Sequence, residues 1–178
     1  LIVIKSTIEP GTTERLSLQY DKLLLCHNPE FLTAKTAFED FDNQKHIVLG
    51  ITKRVTETGP RLIHSLYQLY EKLYPDAEIS VCKSEESEAM KLFCNNFYAM
   101  KVQIFNEFYY LSQRVGIDFE NVKEMMLKNN WINPMHTTVP GPDGLPSYGN
   151  FCFPKDTNAL CHMMKTIGSP HGVLEATI

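Results

Sequence analysis

Several features are scarce or missing in this chain of 178 residues. No apolar run approaches the roughly 18 residues of a membrane-spanning helix, and no secretory signal pattern is present. The formal net charge of −4 provides no basic surface for nucleic acid or anionic lipid. The five cysteines include no Cys-x-x-Cys pair, which argues against a zinc site or a disulfide framework. We therefore expect a cytoplasmic protein with reduced thiols and with no metal, nucleic acid or membrane partner.

A further absence concerns glycine. The sequence nowhere contains Gly-x-Gly-x-x-Gly, the turn that holds the diphosphate in dinucleotide-binding folds. The chain also opens with LIVIKST, already inside a predicted strand and without an initiator methionine. We expect it to be a piece of a longer protein.

Strands and helices are predicted to alternate over residues 1–83. The apolar runs that predict strands lie at Leu1–Ile4, from about Leu23, in HIVLG and in AEISVCK. Helical patterns between them end at about Tyr20 and at Pro75. This alternation predicts βαβ units and a mainly parallel sheet, that is, an α/β fold.

The pattern becomes wholly helical after residue 83. Neither Gly nor Pro occurs from Ser84 to about Val115, so one helix of about 30 residues and about 45 Å is predicted. Such a helix is typical of a spine linking two parts. A second helix is predicted over Phe119–Asn129, with Asp118 as its cap. Residues 130–150 are rich in Pro and Gly and predict a long loop, before a last helix from Pro154 to about Thr166.

Cys152 lies between two phenylalanines and just before Pro154-Lys155-Asp156. Its apolar neighbours favour an ordinary buried thiol, since free cysteine is among the most buried residue types. A position just before a helix N-terminus, with Lys155 nearby, instead favours a reactive thiolate. Asp156 could then accept a proton or orient a water. The local sequence leaves both interpretations open.

Three further polar positions carry similar alternatives. Lys91 and Asn95 share one helical face, and they form either an oxyanion-binding pair or, with Glu88 before them, a solvated charged surface. Glu30 follows a buried strand, where ligands bind in open α/β sheets, or it is an exposed loop carboxylate. Thr7 follows the first strand in an equivalent place.

These pieces occur in a recognisable order. Together they resemble the UDP-glucose/GDP-mannose dehydrogenase family over nearly the whole chain. The motifs that carry the resemblance are KSTIEPGT, NPEFL, Glu88-x-x-Lys91-x-x-x-Asn95 and YGNFCFPKD. The resemblance implies that residues 1–83 are the second half of a Rossmann-like NAD-binding domain. It implies that residues 84–178 form a helical central domain that carries the catalytic cysteine and dimerises through the helix over 84–115. The family's first Rossmann half and its C-terminal nucleotide-sugar domain would be absent.

The resemblance also implies an activity. Members of this family oxidise the C6 alcohol of a nucleotide sugar, such as a UDP-hexose or GDP-mannose, to a carboxylate with two NAD+. Cys152 would form a thiohemiacetal and then a thioester, while Lys91 and Asn95 stabilise the oxyanion. Asp156, Thr7 and a water would handle the proton of the first oxidation, and Glu30 would assist thioester hydrolysis.

Binding positions follow from the same resemblance. The implied substrate-binding residues are Glu30, Phe31, Leu32, Lys91, Asn95, Tyr148 and Gly149. The implied cofactor-binding residues are Ser6, Thr7 and Lys155.

Three positions depart from the family pattern. Asn150 stands where a second glycine is usual before the cysteine, and Ala34 stands where a glutamate commonly follows NPEFL. Trp131 stands where many members have an arginine that reaches a neighbouring subunit's substrate. These changes bear on the sugar more than on the chemistry.

Two other functions are open at this point. The chain is a catalytically incompetent binding or dimerisation module of the same fold, or it is a cysteine hydrolase or acyl transferase. The latter needs a base for the thiol, and none of the six histidines stands in a signature arrangement. His162 on the last helix is expected to be structural, and His136 in the long loop to be exposed. We expect these residues alone neither to bind NAD tightly nor to turn over.

Overall fold

The computed structural model describes residues 1–33, 35–149 and 151–178. The chain divides into two compact units, Leu1–Leu92 and Phe93–Ile178. The strands are β1 (Ile2–Ile4), β2 (Leu25–His27), β3 (His46–Ile51) and β4 (Glu78–Lys83). The helices are α1 (Thr12–Gln19), α2 (Ala37–Asp42), α3 (Lys53–Thr58), α4 (Pro60–Leu73), α5 (Ser84–Val115), α6 (Phe119–Leu127), α7 (Cys152–Thr166) and α8 (Gly172–Thr177). No helix among the described residues is long and apolar enough to cross a membrane.

The first unit contains a mixed sheet with the strand order β1-β2-β3-β4. β1 pairs with β2 in parallel, and β3 pairs with β4 in parallel. β2 and β3, however, are antiparallel, with Cys26 opposite Ile51. The predicted α/β class and mainly parallel sheet are confirmed, with one antiparallel pairing that the sequence did not indicate.

The antiparallel pair has a simple physical reason. A parallel connection must carry the chain back along the full strand length, which takes a dozen or more residues and usually a helix packed on the sheet. The link from β2 to β3 is long enough for such a crossover, but α2, the helix that the structure describes in it, has six residues and no buried side chain, so it does not pack on the sheet. The chain therefore re-enters the sheet from the end at which β2 leaves it.

The core of the first unit lies under the central strands. Leu25, Cys26, Ile47, Val48 and Leu49 are all buried. The strand residues of β2 are buried throughout, as the apolar run predicted. This packing holds the loops at the strand ends in place.

The second unit is helical. The boundary between the two units falls within α5, the helix predicted as a spine. Asp118 caps α6 as predicted, because its side chain accepts a hydrogen bond from the Asn121 N–H at 3.2 Å. Two buried clusters form the core, one around Phe105, Phe119 and Val139 and one around Leu160, Cys161 and Leu174.

One boundary differs from the sequence prediction in a way that matters. Helix α7 begins at Cys152, not at Pro154. Pro154 is the third residue of the helix, still within the first turn, where its missing N–H leaves no intrahelical bond unmade. Cys152 is therefore part of the helix N-terminus itself.

Candidate active site

The first unit gathers predicted site residues where β1 and β2 end. Because β1 and β2 are parallel, the segments that follow them leave from the same end of the sheet. Ser6 and Thr7 follow β1, and Asn28, Pro29 and Glu30 follow β2. A direct link joins the two segments, because a His27 ring nitrogen lies 3.2 Å from the Ser6 carbonyl oxygen.

Lys91 is buried, and its ammonium group contacts the NPEFL segment. Its ammonium donates a hydrogen bond to the Glu30 backbone carbonyl and lies 3.6 Å from the Glu30 carboxylate. The same ammonium lies 4.8 Å from the centre of the Phe31 ring, within range of a cation–π interaction. Glu30 in turn accepts a hydrogen bond from the Leu32 N–H at 2.7 Å. Four residues predicted for the site are thus in one place.

Glu88 does not form the solvated pair with Lys91 that the sequence allowed. It is fully buried and accepts hydrogen bonds from the Gly11 N–H at 2.5 Å and the Thr13 N–H at 2.7 Å. These donors belong to the first turn of α1, whose positive dipole end favours a carboxylate. Glu88 therefore caps α1, and the partner of Lys91 is Glu30.

Asn28 organises the same segment, a role that sequence reasoning missed. Its side-chain oxygen accepts hydrogen bonds from the Lys5 ammonium at 2.8 Å and the Tyr70 hydroxyl at 2.6 Å. Its amide donates to the Val48 carbonyl at 2.8 Å. Burial lowers the pKa of Lys5, and the nearby Glu30 carboxylate partly offsets this. In the sequence, the sign of this role was the position of Asn28 as the first residue of NPEFL.

In the second unit, Cys152 is exposed at the start of α7. The interpretation of this thiol as an ordinary core cysteine is therefore wrong. Asp156 lies one turn further along the same helix, four residues on, so the two side chains share a face. The cysteine side chain is open to solvent while the carboxylate beside it is buried.

The Asp156 carboxylate is held by two side chains. Asn95 donates its amide N–H to Asp156 Oδ2 at 2.6 Å, and the Lys155 ammonium pairs with Oδ1. The Asn96 amide donates to the Asp156 backbone carbonyl at 3.2 Å. Lys155 was expected to favour the thiolate of Cys152, but its ammonium lies on Asp156. Asn95 of α5 is thus joined to Asp156 of α7, and Cys152 lies one helical turn before Asp156.

The remaining predicted residues of this unit have structural contacts. The Tyr148 hydroxyl donates to the Thr177 carbonyl at 3.0 Å, and its ring packs 6.1 Å from that of Phe153. His136 was expected to be exposed, but it is half-buried between Tyr98 and Phe153, with ring centres 4.9 and 5.4 Å away. Burial, together with the charge of Lys101, lowers the pKa of His136.

The structure describes only some of the positions that depart from the family pattern. Trp131 is 88% exposed in the long loop. Gly149 is exposed as well. Ala34 and Asn150 lie outside the described residues.

Both parts of the chain match known sequence families. The model of the UDP-glucose/GDP-mannose dehydrogenase family, NAD binding domain, matches residues 1–74. The model of the same family's central domain matches residues 85–178, more than half of the chain. The chain belongs to the UDP-glucose/GDP-mannose dehydrogenase family.

Similar proteins include several members of this dehydrogenase family. The UDP-glucose 6-dehydrogenase of Rickettsia bellii is 30% identical over 184 residues, covering all of this chain and 40% of the relative. UDP-glucose 6-dehydrogenase TuaD of Bacillus subtilis is 29% identical, with 37% of it covered. The structure of a UDP-glucose dehydrogenase from Pyrobaculum islandicum has a TM-score of 0.84 at 30% identity, covering 99% of this chain and 39% of that one. The chain therefore spans about two fifths of the length of these relatives.

The described residues fit only one end of NAD. Ser6 and Thr7, at the carboxyl end of β1, provide hydroxyl groups of the kind that bind a carboxamide ring. The N-terminus of α1 offers no site for the diphosphate, because its N–H groups already donate to the Glu88 carboxylate.

Proposed function

We propose that this chain carries the catalytic residues of an NAD-dependent nucleotide-sugar 6-dehydrogenase, which oxidises a sugar C6 alcohol to a carboxylate. The observation that supports this most is the bond between Asn95 and the buried Asp156, one helical turn after the exposed Cys152. Membership of the dehydrogenase family gives this group a specific chemistry, and the named relatives act on UDP-glucose. The five free cysteines are consistent with a reaction in the cytoplasm.

Cys152 is the proposed nucleophile. Its sulfur attacks the carbon of the C6 aldehyde formed in the first oxidation, a C–S bond forms, and the carbonyl oxygen takes the negative charge. An asparagine amide has two N–H groups, so the bond from Asn95 to Asp156 leaves a second donor for that oxygen. The bond also fixes the orientation of the amide before substrate arrives.

Asp156 and Thr7 are proposed to take the proton released in the first oxidation, through an ordered water. A carboxylate held by the Asn95 amide and the Lys155 ammonium is a fixed acceptor, which suits proton transfer with little reorganisation. Lys155 would act on Asp156 as well as on the cofactor side.

Lys91 is proposed to stabilise the oxyanion as a positive charge one helical turn before Asn95. Its contacts with Glu30 hold the ammonium in one position. Glu30 is proposed to activate the water that cleaves the thioester, which breaks the C–S bond and restores the Cys152 thiol. The backbone around Phe31 and Leu32, with Tyr148 and Gly149, would bind the nucleotide sugar.

NAD, when bound, would supply the oxidising power for both steps by accepting hydride. Ser6 and Thr7 would hold its nicotinamide side through their hydroxyl groups. Both residues follow β1, at the end of the sheet where ligands bind in this fold class.

A ligand-protection experiment tests the proposal without requiring turnover. The alkylation rate of Cys152 is measured by peptide mass spectrometry with and without UDP-glucose, and with GDP-mannose in parallel. We expect one nucleotide sugar to slow alkylation of Cys152 several-fold while leaving Cys82, on β4, unchanged. Equal alkylation rates at Cys152 under all conditions would contradict the proposed site.

We further propose that the chain forms a homodimer through α5. Apolar side chains on this helix recur at helical spacing and are exposed, namely Phe93, Phe97, Ile104, Phe108, Leu111 and Val115. A continuous apolar stripe of this length is uncommon on a monomer surface and is typical of a protein–protein contact. A groove of about 1060 Å³ borders the stripe, lined by Phe97, Ile104, Trp131 and Val173 among others. The same stripe is what a catalytically incompetent dimerisation module would retain, so the protection experiment distinguishes the two functions.

A further inference from the structure

The first turn of α7 presents Cys152, and the N-cap residue of this helix is Phe151. A phenylalanine ring has no oxygen that could accept from the free N–H groups at a helix N-terminus, as serine or aspartate would. Helix ends of this kind fray unless other contacts hold them. The bond from Asn95 holds the helix at Asp156, four residues after Cys152. The residues directly beside Cys152 therefore depend on other contacts.

A second connection between α5 and α7 lies next to the thiol. It runs through three aromatic rings, in the order Tyr98, His136 and Phe153. The His136 ring lies 4.9 Å from the Tyr98 ring and 5.4 Å from the Phe153 ring, measured between ring centres. Both distances are typical of stabilising aromatic pairs. Because Phe153 directly follows Cys152, this connection holds the residue next to the proposed nucleophile.

The polar and the aromatic connection use the same two helix faces. Tyr98 follows Asn95 by three residues on α5, and Phe153 precedes Asp156 by three residues on α7. Residues three apart lie on one face of a helix. Two contacts along one face fix both the position and the rotation of a helix end, whereas a single contact leaves it free to pivot.

The stretch of loop that carries His136 is held on both sides of it. Before His136, the Lys101 ammonium donates to the Asn133 carbonyl oxygen, and after it Val139 is buried in the cluster with Phe105. The φ angle of His136 is +64°, in the left-handed region that histidine adopts more readily than most residues. The ring is thus presented from an anchored backbone.

Tyr148 also contacts Phe153, with ring centres 6.1 Å apart. Its hydroxyl, however, is bonded to Thr177 of α8. The Tyr148 contact therefore connects Phe153 to α8, and the His136 ring connects it to α5, the helix that carries Asn95.

We propose that His136 is a positioning residue for Cys152: its ring, held between Tyr98 and Phe153, fixes the first turn of α7 against α5. The thiol and the Asn95 amide then keep one relative position. The part that these two groups play in catalysis rests on the proposed function. The fixing of the turn rests only on the ring contacts, and it requires the shape of the His136 ring and no change in its protonation.

Nitrogen-15 relaxation of the Cys152 and Phe153 amides tests the fixing of the turn. In wild type we expect order parameters of about 0.85, the value of a rigid backbone. His136→Asn removes the ring but introduces a residue type that also tolerates the left-handed backbone. We expect the order parameter of Cys152 to fall below about 0.6 in this variant. A value that is unchanged in His136→Asn, or already that low in wild type, would overturn the proposal.

Three substitutions on α5 separate the ring contact from general destabilisation. Tyr98→Leu removes the contact from the α5 side and should act as His136→Asn does, so it decides the matter if His136→Asn does not fold. Tyr98→Phe keeps the ring and should retain the wild-type order parameter. Tyr110→Leu removes an exposed ring that packs on Tyr109, and it should leave Cys152 unchanged. Lost order at Cys152 in Tyr110→Leu, or unchanged order in Tyr98→Leu, would overturn the proposal.

Aldehyde capture tests the consequence for the thiol. With a nucleotide-sugar 6-aldehyde labelled with carbon-13 at C6, we expect His136→Asn to form about tenfold less bound thiohemiacetal than wild type, within the range known for a misplaced reacting group. Iodoacetamide needs only an exposed thiol and should alkylate Cys152 at nearly the wild-type rate. Undiminished capture by His136→Asn would overturn the positioning role. If wild type captures no aldehyde, the proposed function fails, while the relaxation measurements still decide whether His136 fixes the turn.

Discussion

Asn95 and Asp156 are joined by a 2.6 Å hydrogen bond from amide to carboxylate, 61 residues apart in the sequence. The bond ties α5 to the first turn of α7, the turn that begins with Cys152. A nucleophile at a helix terminus gains orientation from such a tie, because the helix end would otherwise fray. The proposed oxyanion donor and the proposed proton acceptor are therefore parts of one rigid pair.

The first prediction concerns the pair itself. Asp156→Ala leaves the buried Asn95 amide without this acceptor, and we expect the free energy of unfolding to fall by about 1–3 kcal/mol. Urea denaturation measures this change. Glu124→Gln, at an exposed position on α6, is the control and should lie within about 0.5 kcal/mol of wild type. A loss no larger than that of the control would show that the pair does not stabilise the unit.

The second prediction concerns the five thiols. Cys152 should alkylate fastest at neutral pH, because it alone is exposed while Cys26 and Cys161 are buried. Burial also raises the pKa of Cys26 to about 11 and raises that of Cys82, so both remain thiols at neutral pH. Peptide mass spectrometry after brief iodoacetamide treatment ranks the rates, with Cys152→Ser identifying the signal. Faster labelling of Cys26 or Cys82 would be incompatible with the structure.

The third prediction concerns the close approach of β3 and α5. Gly50→Ala should destabilise the protein by about 1–3 kcal/mol, because its Cβ would lie 2.5 Å from that of Ser87. Gly172→Ala is the matched control, since no atom lies within 4 Å of the Cβ that it adds. Thermal unfolding of the two variants compares them directly, and equal melting temperatures would argue against the close approach.

The fourth prediction concerns self-association. Phe97→Glu places a charge in the exposed stripe of α5, and we expect it to convert a dimer at micromolar concentration into a monomer. Gln113→Glu adds the same charge at an exposed position of α5 outside the stripe and should leave the dimer intact. Sedimentation velocity distinguishes the species. A wild-type protein that sediments as a monomer would remove the basis for the dimer.

Local patterns were enough to predict most of the elements. The run without Gly or Pro from Ser84 predicted α5, and the apolar runs predicted the four strands. The short helices α2, α3 and α8 were missed, because six residues are too few for a helical period to stand out.

What the sequence left undetermined depends on contacts between distant residues. One of the two alternatives open from the sequence paired Glu88 with its neighbour Lys91, but Glu88 bonds to Thr13, 75 residues away. Lys155 was expected to favour the Cys152 thiolate and to bind cofactor, but its ammonium forms an ion pair with Asp156. Spacing shows which charges share a face, whereas the choice of partner depends on which buried group most needs one.

The buried histidine illustrates the same limit. Nothing in the letters CHNPEFL indicates that His27 joins Ser6 to Ser87, because both partners are supplied by the fold. The direction of β3 could not be predicted from the sequence either, because it depends on where the chain re-enters the sheet.

The central claim is that Cys152 captures a sugar aldehyde covalently. Carbon-13 NMR of a UDP-sugar 6-aldehyde labelled at C6 tests this most directly, because a thiohemiacetal carbon resonates apart from both the aldehyde and its hydrate. We predict a protein-bound thiohemiacetal signal with the wild-type chain that is absent with Cys152→Ser. Spectra that are identical for the two proteins would contradict the account.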